Sequence, residues 1–247
     1  MGIVLRVVEE TVSTNDDLKK ESDAPHGSAL MALRQRGGRG RLGRRFESPE
    51  GGVYFSLLLR PEVPAEQLLH LTAMTAVALR RGIEKLCGLS VGIKWTNDLV
   101  CEGKKLCGIL TELVTVGDKP AVIIGVGLNC NTEKEAFPVE LQGMTTSLKQ
   151  LTGRSFDPQE VAKQLLAELW HMSEVLFREK NQWLREYEKA CVTVGREVRI
   201  LRAGSEEYAT AFGIDENGGL LVRYADGRQA CVNTGEVSVR GMYGYLE

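Results

Sequence analysis

Near Val194 the pattern of the chain changes, and that change constrains the fold more than any single motif. After it, the runs EVRIL, YATAFGI, GLLVRY, QACV and EVSVR follow one another within about 50 residues. Gly204, Asn217-Gly218-Gly219, Asp226-Gly227 and Gly235 separate them as turn signals. Short β-rich runs at such spacing predict a small barrel of SH3-like size. Before Val194, β-branched runs alternate with longer amphipathic stretches, the signature of mixed α/β structure. The chain of 247 residues therefore divides into a larger unit over residues 1–190 and a small β-unit over 191–247. That length holds one sizeable core and leaves room for a second, smaller one.

Within the larger unit, residues 3–9 (IVLRVVE) suit a strand, and Ser13 reads as a helix N-cap with Asp16 three residues on. A second apolar run, Ala29 to Leu33, leads into a Gly/Arg stretch from Gln35 to Gly52. Val53 to Leu59 reads as a strand stopped by Pro61. A helix is expected to begin near Ala65, apolar almost all round from Leu68 to Leu79 and so buried on most sides. Residues 91–129 read as strands joined by tight turns, one at Glu102-Gly103. Asp157 caps a further helix, with Pro158 in its first turn and Glu160 completing a capping box. Val161, Leu165, Leu169, Met172 and Leu176 give that helix one apolar face.

Composition narrows the function. A net charge of −2 supplies no global field toward nucleic acid or a membrane. Six cysteines without a CxxC pair, and only three histidines, argue against a disulfide framework or a zinc site. The start, MGIVLRVVEE, has no apolar leader, no run approaches 18 apolar residues, and Arg6 does not fit a myristoylation motif. A cytoplasmic protein with reduced thiols and no membrane partner is the expectation.

Residues 34–45 hold six arginines, and no acidic residue occurs between Asp23 and Glu47. Such a concentration repels itself unless an anion sits there, and glycines admit a phosphate close to the backbone. The plainer alternative is a solvated basic loop. Gly38-Arg39-Gly40-Arg41-Leu42-Gly43 matches GxGxxG by letter only, because Pro49, Gly51 and Gly52 follow where a dinucleotide site needs a helix. No GxxxxGK[ST] segment exists. Lys94-Trp95-Thr96-Asn97-Asp98 and Lys104-Lys105 flank a short strand and turn. A lysine just past a tight turn is held rigidly and suits charge developing on a phosphate or carboxylate. Asn97 and Asp98 equally suit a turn, and Trp95 reads as core. Gln35, polar at the end of a buried strand, tilts toward a ligand. Gly125, Gly127 and Asn129 fit either a site or close backbone packing.

Ser13-Thr14-Asn15, GRGRLGR at 38–44, KWTNDL at 94–99, GKKLCGIL at 103–110, GVGLN at 125–129 and GEVSVR at 235–240 occur in one order and spacing that resembles the biotin–protein ligases. The resemblance spans essentially the whole chain. It implies an α/β fold of the class II aminoacyl-tRNA-synthetase and biotin-ligase kind, a mixed sheet backed by helices with an SH3-like C-terminal domain. It also implies roles. Ser13, Thr14, Asn15 and Gln35 would hold the biotin ureido ring, and Arg39, Gly40 and Arg41 would fold over the adenylate. Lys105 would be the catalytic lysine beside the biotin carboxylate and the α-phosphate, with Arg39 and Arg41 assisting. Arg41, Phe46, Asn97, Asn129 and Arg240 would meet the nucleotide, and Asp98 the magnesium of Mg2+–ATP. Two positions depart from the family: Thr96 where proline is usual, and Phe46 where tryptophan is common.

The implied reaction makes biotinoyl-AMP, then passes biotin to a lysine of a biotin carboxyl carrier domain of a carboxylase. Residues 36–52 would be the lid that keeps water from the adenylate. The catalytic unit begins by residue 3, so no helix-turn-helix and no repressor activity are expected. A homodimer through sheet edges is left open. The rival readings are a lipoate or octanoate ligase or transferase, and a nucleic-acid binder gripping phosphates with the arginine loop.

Overall fold

The structure is a computed structural model that describes residues 2–117, 119–202, 205–233 and 236–239. The β-branched runs of the first 128 residues pair into one sheet of seven strands. These are β1 (Val4–Thr11), β2 (Ser28–Gln35), β3 (Val53–Leu59), β4 (Gly92–Lys94), β5 (Asp98–Cys101), β6 (Lys104–Val116) and β7 (Lys119–Leu128). Their order is β1-β2-β3-β7-β6-β5-β4. Only β1 and β2 run parallel, joined across helix α1 (Thr14–Lys20); every other neighbour is antiparallel, so the sheet is mixed, as expected. Four more helices follow: α2 (Leu71–Cys87), α3 (Leu148–Thr152), α4 (Pro158–Val175) and α5 (Lys180–Ala190).

Alternation along the strands gives the sheet two different faces. Met31, Phe55, Leu57, Ile124 and Val126 belong to the main core with the apolar sides of α2, α4 and α5. Leu30, Leu58 and Ile123 point the other way and form a small core with Leu18 of α1, Ala24, Val116 and Ala121. Farther along that second face the strands carry small residues: Ser56 on β3, Gly108 on β6, and Gly125 and Gly127 on β7. The register sets Ser56 opposite Gly125 and Gly108 opposite Gly127. A floor without large side chains leaves a hollow beside α1.

Two helix starts differ from expectation. Ala65–Leu68 is only a 3-10 turn, closed by Gln67 N–H on the Pro64 carbonyl, and α2 begins at Leu71. Once begun, α2 is buried nearly all round, as its composition requires. Asp157 does cap α4, accepting from the backbone N–H of Gln159 and Glu160, but Glu160 does not reach back. Its carboxylate pairs with Lys163 at 2.7 Å instead, so the box is half formed.

The C-terminal runs form a separate antiparallel sheet of β8 (Glu197–Arg202), β9 (Ser205–Ile214), β10 (Leu220–Tyr224), β11 (Gln229–Val232) and β12 (Glu236–Val239), in the order β11-β10-β9-β8-β12. Trp95 ties this unit to the first. Its buried indole Nε1 donates to the Gly218 carbonyl at 2.9 Å, and its backbone N–H donates to Thr193 Oγ1 at 3.0 Å. Trp95 is thus core, as read from the sequence, and a joint as well.

Near the same joint, the buried His70 contacts the Leu176 carbonyl through Nε2 at 3.2 Å. Burial pushes its pKa below 6.5; the Leu176 contact opposes this and the charge of Lys180 adds to it. With the folded value depressed, the unfolded chain binds more protons between the two values. Stability is therefore complete above about pH 6.5 and falls as pH drops below it. A melting series from pH 7.5 to 5 is expected to show this loss, and His70→Gln to flatten it. An unchanged slope in the variant would assign the loss to another group.

Candidate active site

Ser13 has extended backbone and accepts from Asp16 N–H through its side chain at 3.4 Å, capping α1. A cap of this kind contributes about 1 kcal/mol. Its structural effect is to lay Thr14 and Asn15 on the bare end of the sheet. Gln35, at the end of β2, accepts from Thr14 N–H at 2.9 Å through Oε1 and donates through Nε2 to Ser48 Oγ at 3.1 Å. Ser56 Oγ lies 2.7 Å from Thr14 Oγ1 and 2.5 Å from Asn15 Oδ1. Asn15 Nδ2 donates to Glu112 at 2.7 Å. Gly125 makes this possible, since a Cβ there would stand 2.3 Å from Asn15 Oδ1.

Lys105 is fixed from three sides. The Glu102-Gly103 turn, with φ of 51° and 73°, delivers it onto β6. Its backbone N–H donates to the Met144 carbonyl at 2.8 Å, and its carbonyl accepts from Thr146 N–H at 2.9 Å. Its ammonium stands 2.7 Å from Asp98 Oδ1. The Phe46 ring lies beside it, 5.4 Å from Nζ to ring centroid. That ring covers the glycine floor: a Cβ at Gly127 or Gly108 would come within 2.4 or 2.8 Å of it.

The Arg/Gly stretch is a hairpin over this floor. Gly40 N–H donates to the Arg44 carbonyl at 2.7 Å and Phe46 N–H to the Gly38 carbonyl at 2.9 Å. Only glycine fits at 38, where a Cβ would meet the Phe46 carbonyl and Ser48 Oγ at 2.5 Å. Much of the positive charge is met by carboxylates from outside the stretch. Glu10 takes Arg34 and Arg36, and Asp16 and Glu112 take Arg39. The expectation that only a bound anion relieves the repulsion is corrected on this point. Arg41 differs: it reaches Asn97 Oδ1 at 3.4 Å, and burial pulls its pKa down against the charges of Asp98 and Tyr187.

These side chains enclose a cavity of about 370 Å3. Ser13, Thr14, Asn15, Gln35, Arg39, Gly40, Arg41, Phe46, Asn97, Asp98 and Lys105 all line it. A second cavity of about 360 Å3 shares Arg41 and Ile109 with the first and reaches the Asn217-Gly218-Gly219 turn. Asn129 lines neither; its Nδ2 donates to the Thr146 carbonyl at 2.9 Å and lies 3.4 Å from the Lys105 carbonyl, bracing that strand from behind. Arg240 lies outside the described residues. No cluster of three metal-binding side chains occurs among the described residues. Ser56, Glu112 and Gly108 were not singled out from the sequence. A serine inside the apolar run VYFSLLL carried for Ser56 the same signal that marked Gln35.

Residues 4–129 match the Biotin/lipoate A/B protein ligase family, and residues 193–240 match the Biotin protein ligase C terminal domain. A "Bifunctional ligase/repressor BirA" of Bacillus subtilis is 36% identical over 90% of the chain and 69% of its own length. A "Biotin--[acetyl-CoA-carboxylase] ligase" of Paracoccus denitrificans is 33% identical over 90% of the chain and 95% of its own length. The structure of a biotin protein ligase from Aquifex aeolicus in complex with biotin and ATP superposes with a TM-score of 0.81 at 32% identity, covering 96% of this chain and 98% of that one. The chain belongs to the biotin protein ligase family and is an ATP-dependent ligase.

Proposed function

We propose that the chain activates biotin with ATP to biotinoyl-5'-AMP and transfers biotin to a lysine of a biotin carboxyl carrier domain of a carboxylase. The observation that carries this is one cavity with a polar end at Thr14, Asn15 and Gln35 and a cationic end at Lys105 and Arg41. The first end suits a ureido ring and the second a carboxylate meeting an α-phosphate. Biotin's carboxylate oxygen attacks the α-phosphorus and pyrophosphate leaves. Both reactants are anions, so the fixed ammonium of Lys105 and the half-buried guanidinium of Arg41 offset their repulsion as charge develops. The acceptor amine then attacks the mixed anhydride and AMP leaves; no side-chain nucleophile is needed.

Asn97, donating to the Ile109 carbonyl at 2.7 Å, holds its Oδ1 toward Arg41 and so positions that cation. Phe46 walls the floor beside Lys105. Among the described residues, Asp98 is the one carboxylate lining the main cavity, and it is engaged by Lys105. A resident metal centre does not fit such a site. Magnesium arriving on ATP fits, because most of its ligands are then phosphate oxygens and water, and it would supply further charge neutralisation. The larger unit over residues 1–190 is the catalytic domain in this reading, and ligation, rather than operator binding, is its activity. No helix among the described residues is long and apolar enough to cross a membrane, and a cytoplasmic location is proposed with a carboxylase partner.

The test is transfer. Incubation with ATP, biotin and an isolated biotin carboxyl carrier domain is expected to label one lysine of that domain, read by mass spectrometry. Labelling with lipoate in place of biotin would keep the fold and overturn the substrate.

A further inference from the structure

Glu112 lies on the sheet's hollow face, and the reaction above gives it no task. It is the head of a hydrogen-bonded chain that ends in the cavity. A carboxylate accepts only, so Asn15 must present Nδ2 to it, at 2.7 Å. The other side of that amide, Oδ1, then accepts from the Ser56 hydroxyl at 2.5 Å. Ser56 has one proton, and it is used there. The 2.7 Å contact between Ser56 and Thr14 is therefore donated by Thr14. Thr14 has one proton too, and Gln35 Oε1, 3.2 Å from the hydroxyl, already accepts from the Thr14 backbone N–H at 2.9 Å, so the hydroxyl proton goes to Ser56 or to Gln35 and in neither case to the cavity. At the cavity, Thr14 Oγ1 is left with lone pairs and no proton to give.

We infer that Glu112 is a specificity-determining positioning residue, which fixes the sense of this chain so that Thr14 accepts from a ligand N–H. The inference rests on the biotin reading, in which the ureido group supplies that N–H. Linear acyl chains such as octanoate or lipoate bring no such donor. The charged form of Glu112 is secured where it stands. Lys19 Nζ donates to it at 2.8 Å and Arg39 lies 3.3 Å away. Burial alone would raise its pKa; the bonds from Lys19 and Asn15 and the charges of Lys19 and Arg39 outweigh this and hold it below the ordinary value.

Glu112→Gln keeps the shape but offers both a donor and an acceptor, so Asn15 can turn over and reverse the chain. Ser56→Ala cuts the chain in the middle and leaves the Arg39 and Lys19 pairs untouched. Titration calorimetry with biotin is expected to show affinity falling at least about tenfold in both variants, the loss of about one net hydrogen bond. Steady-state KM for biotin should rise alike, with KM for ATP within about twofold of wild type. Two results would overturn the inference: wild-type biotin affinity in Glu112→Gln, or a weak Glu112→Gln beside a normal Ser56→Ala. The second pattern would route the effect through Arg39. A wild-type protein that does not bind biotin would overturn the biotin reading and this inference with it, whereas variants matching a biotin-binding wild type overturn the inference alone.

Discussion

Lys105→Ala is expected to lower the single-turnover rate of biotinoyl-AMP formation at least about a hundredfold, the usual loss when a preorganised charge is removed from a transition state. The size follows from how rigidly the ammonium is held. Its backbone is clamped between Met144 and Thr146, and Asn129 braces the carbonyl side. No reorganisation is needed when the anions meet, so the whole of its field acts on the developing charge. The substitution also leaves Asp98 without its 2.7 Å partner. A mostly buried carboxylate that loses its cation costs stability, so the double variant Lys105→Ala/Asp98→Asn is the control. It should recover thermal stability and not activity. Near-normal adenylate formation in either variant would remove Lys105 from the chemistry.

Arg41→Gly is expected to release the adenylate before the acceptor arrives. Arg41 lies on the wall shared by the two cavities, in the turn at the tip of the Arg/Gly hairpin. A charge-assisted hydrogen bond to a phosphate is worth about 1.5–3 kcal/mol, which predicts release faster by about ten- to a hundredfold. Free biotinoyl-AMP acylates amines without selection, so bystander proteins in the same tube should become labelled. Labelling confined to the carrier domain, at the wild-type rate of release, would contradict the lid role of this loop.

Much of this was legible in the sequence, and the parts that were not share a cause. The two groups of strands, the capped start of α1 and the Glu102-Gly103 hairpin that delivers Lys105 are all local patterns, and local patterns survive without knowledge of register. Glu112 and Ser56 are different. Each is one polar residue in a strand, and only the pairing of β3, β7 and β6 puts them on Asn15. The arginine stretch shows the same limit. Its charge was visible, but Glu10, Asp16 and Glu112, which meet much of it, come from other elements. Gly125 and Gly127 were open between site and packing. The structure makes them both, since each glycine leaves the space that Asn15 or the Phe46 ring occupies on the cavity floor. Asn129 belongs to the scaffold of Lys105 and not to the cavity wall.

The proposed reaction requires a single cavity that joins biotin's carboxylate to the α-phosphate of ATP. Pyrophosphate exchange into ATP, run with biotin, lipoate, octanoate and no acid, tests it most directly. Exchange with biotin alone is the predicted result; exchange with lipoate or octanoate in its place, or with no acid at all, would contradict it.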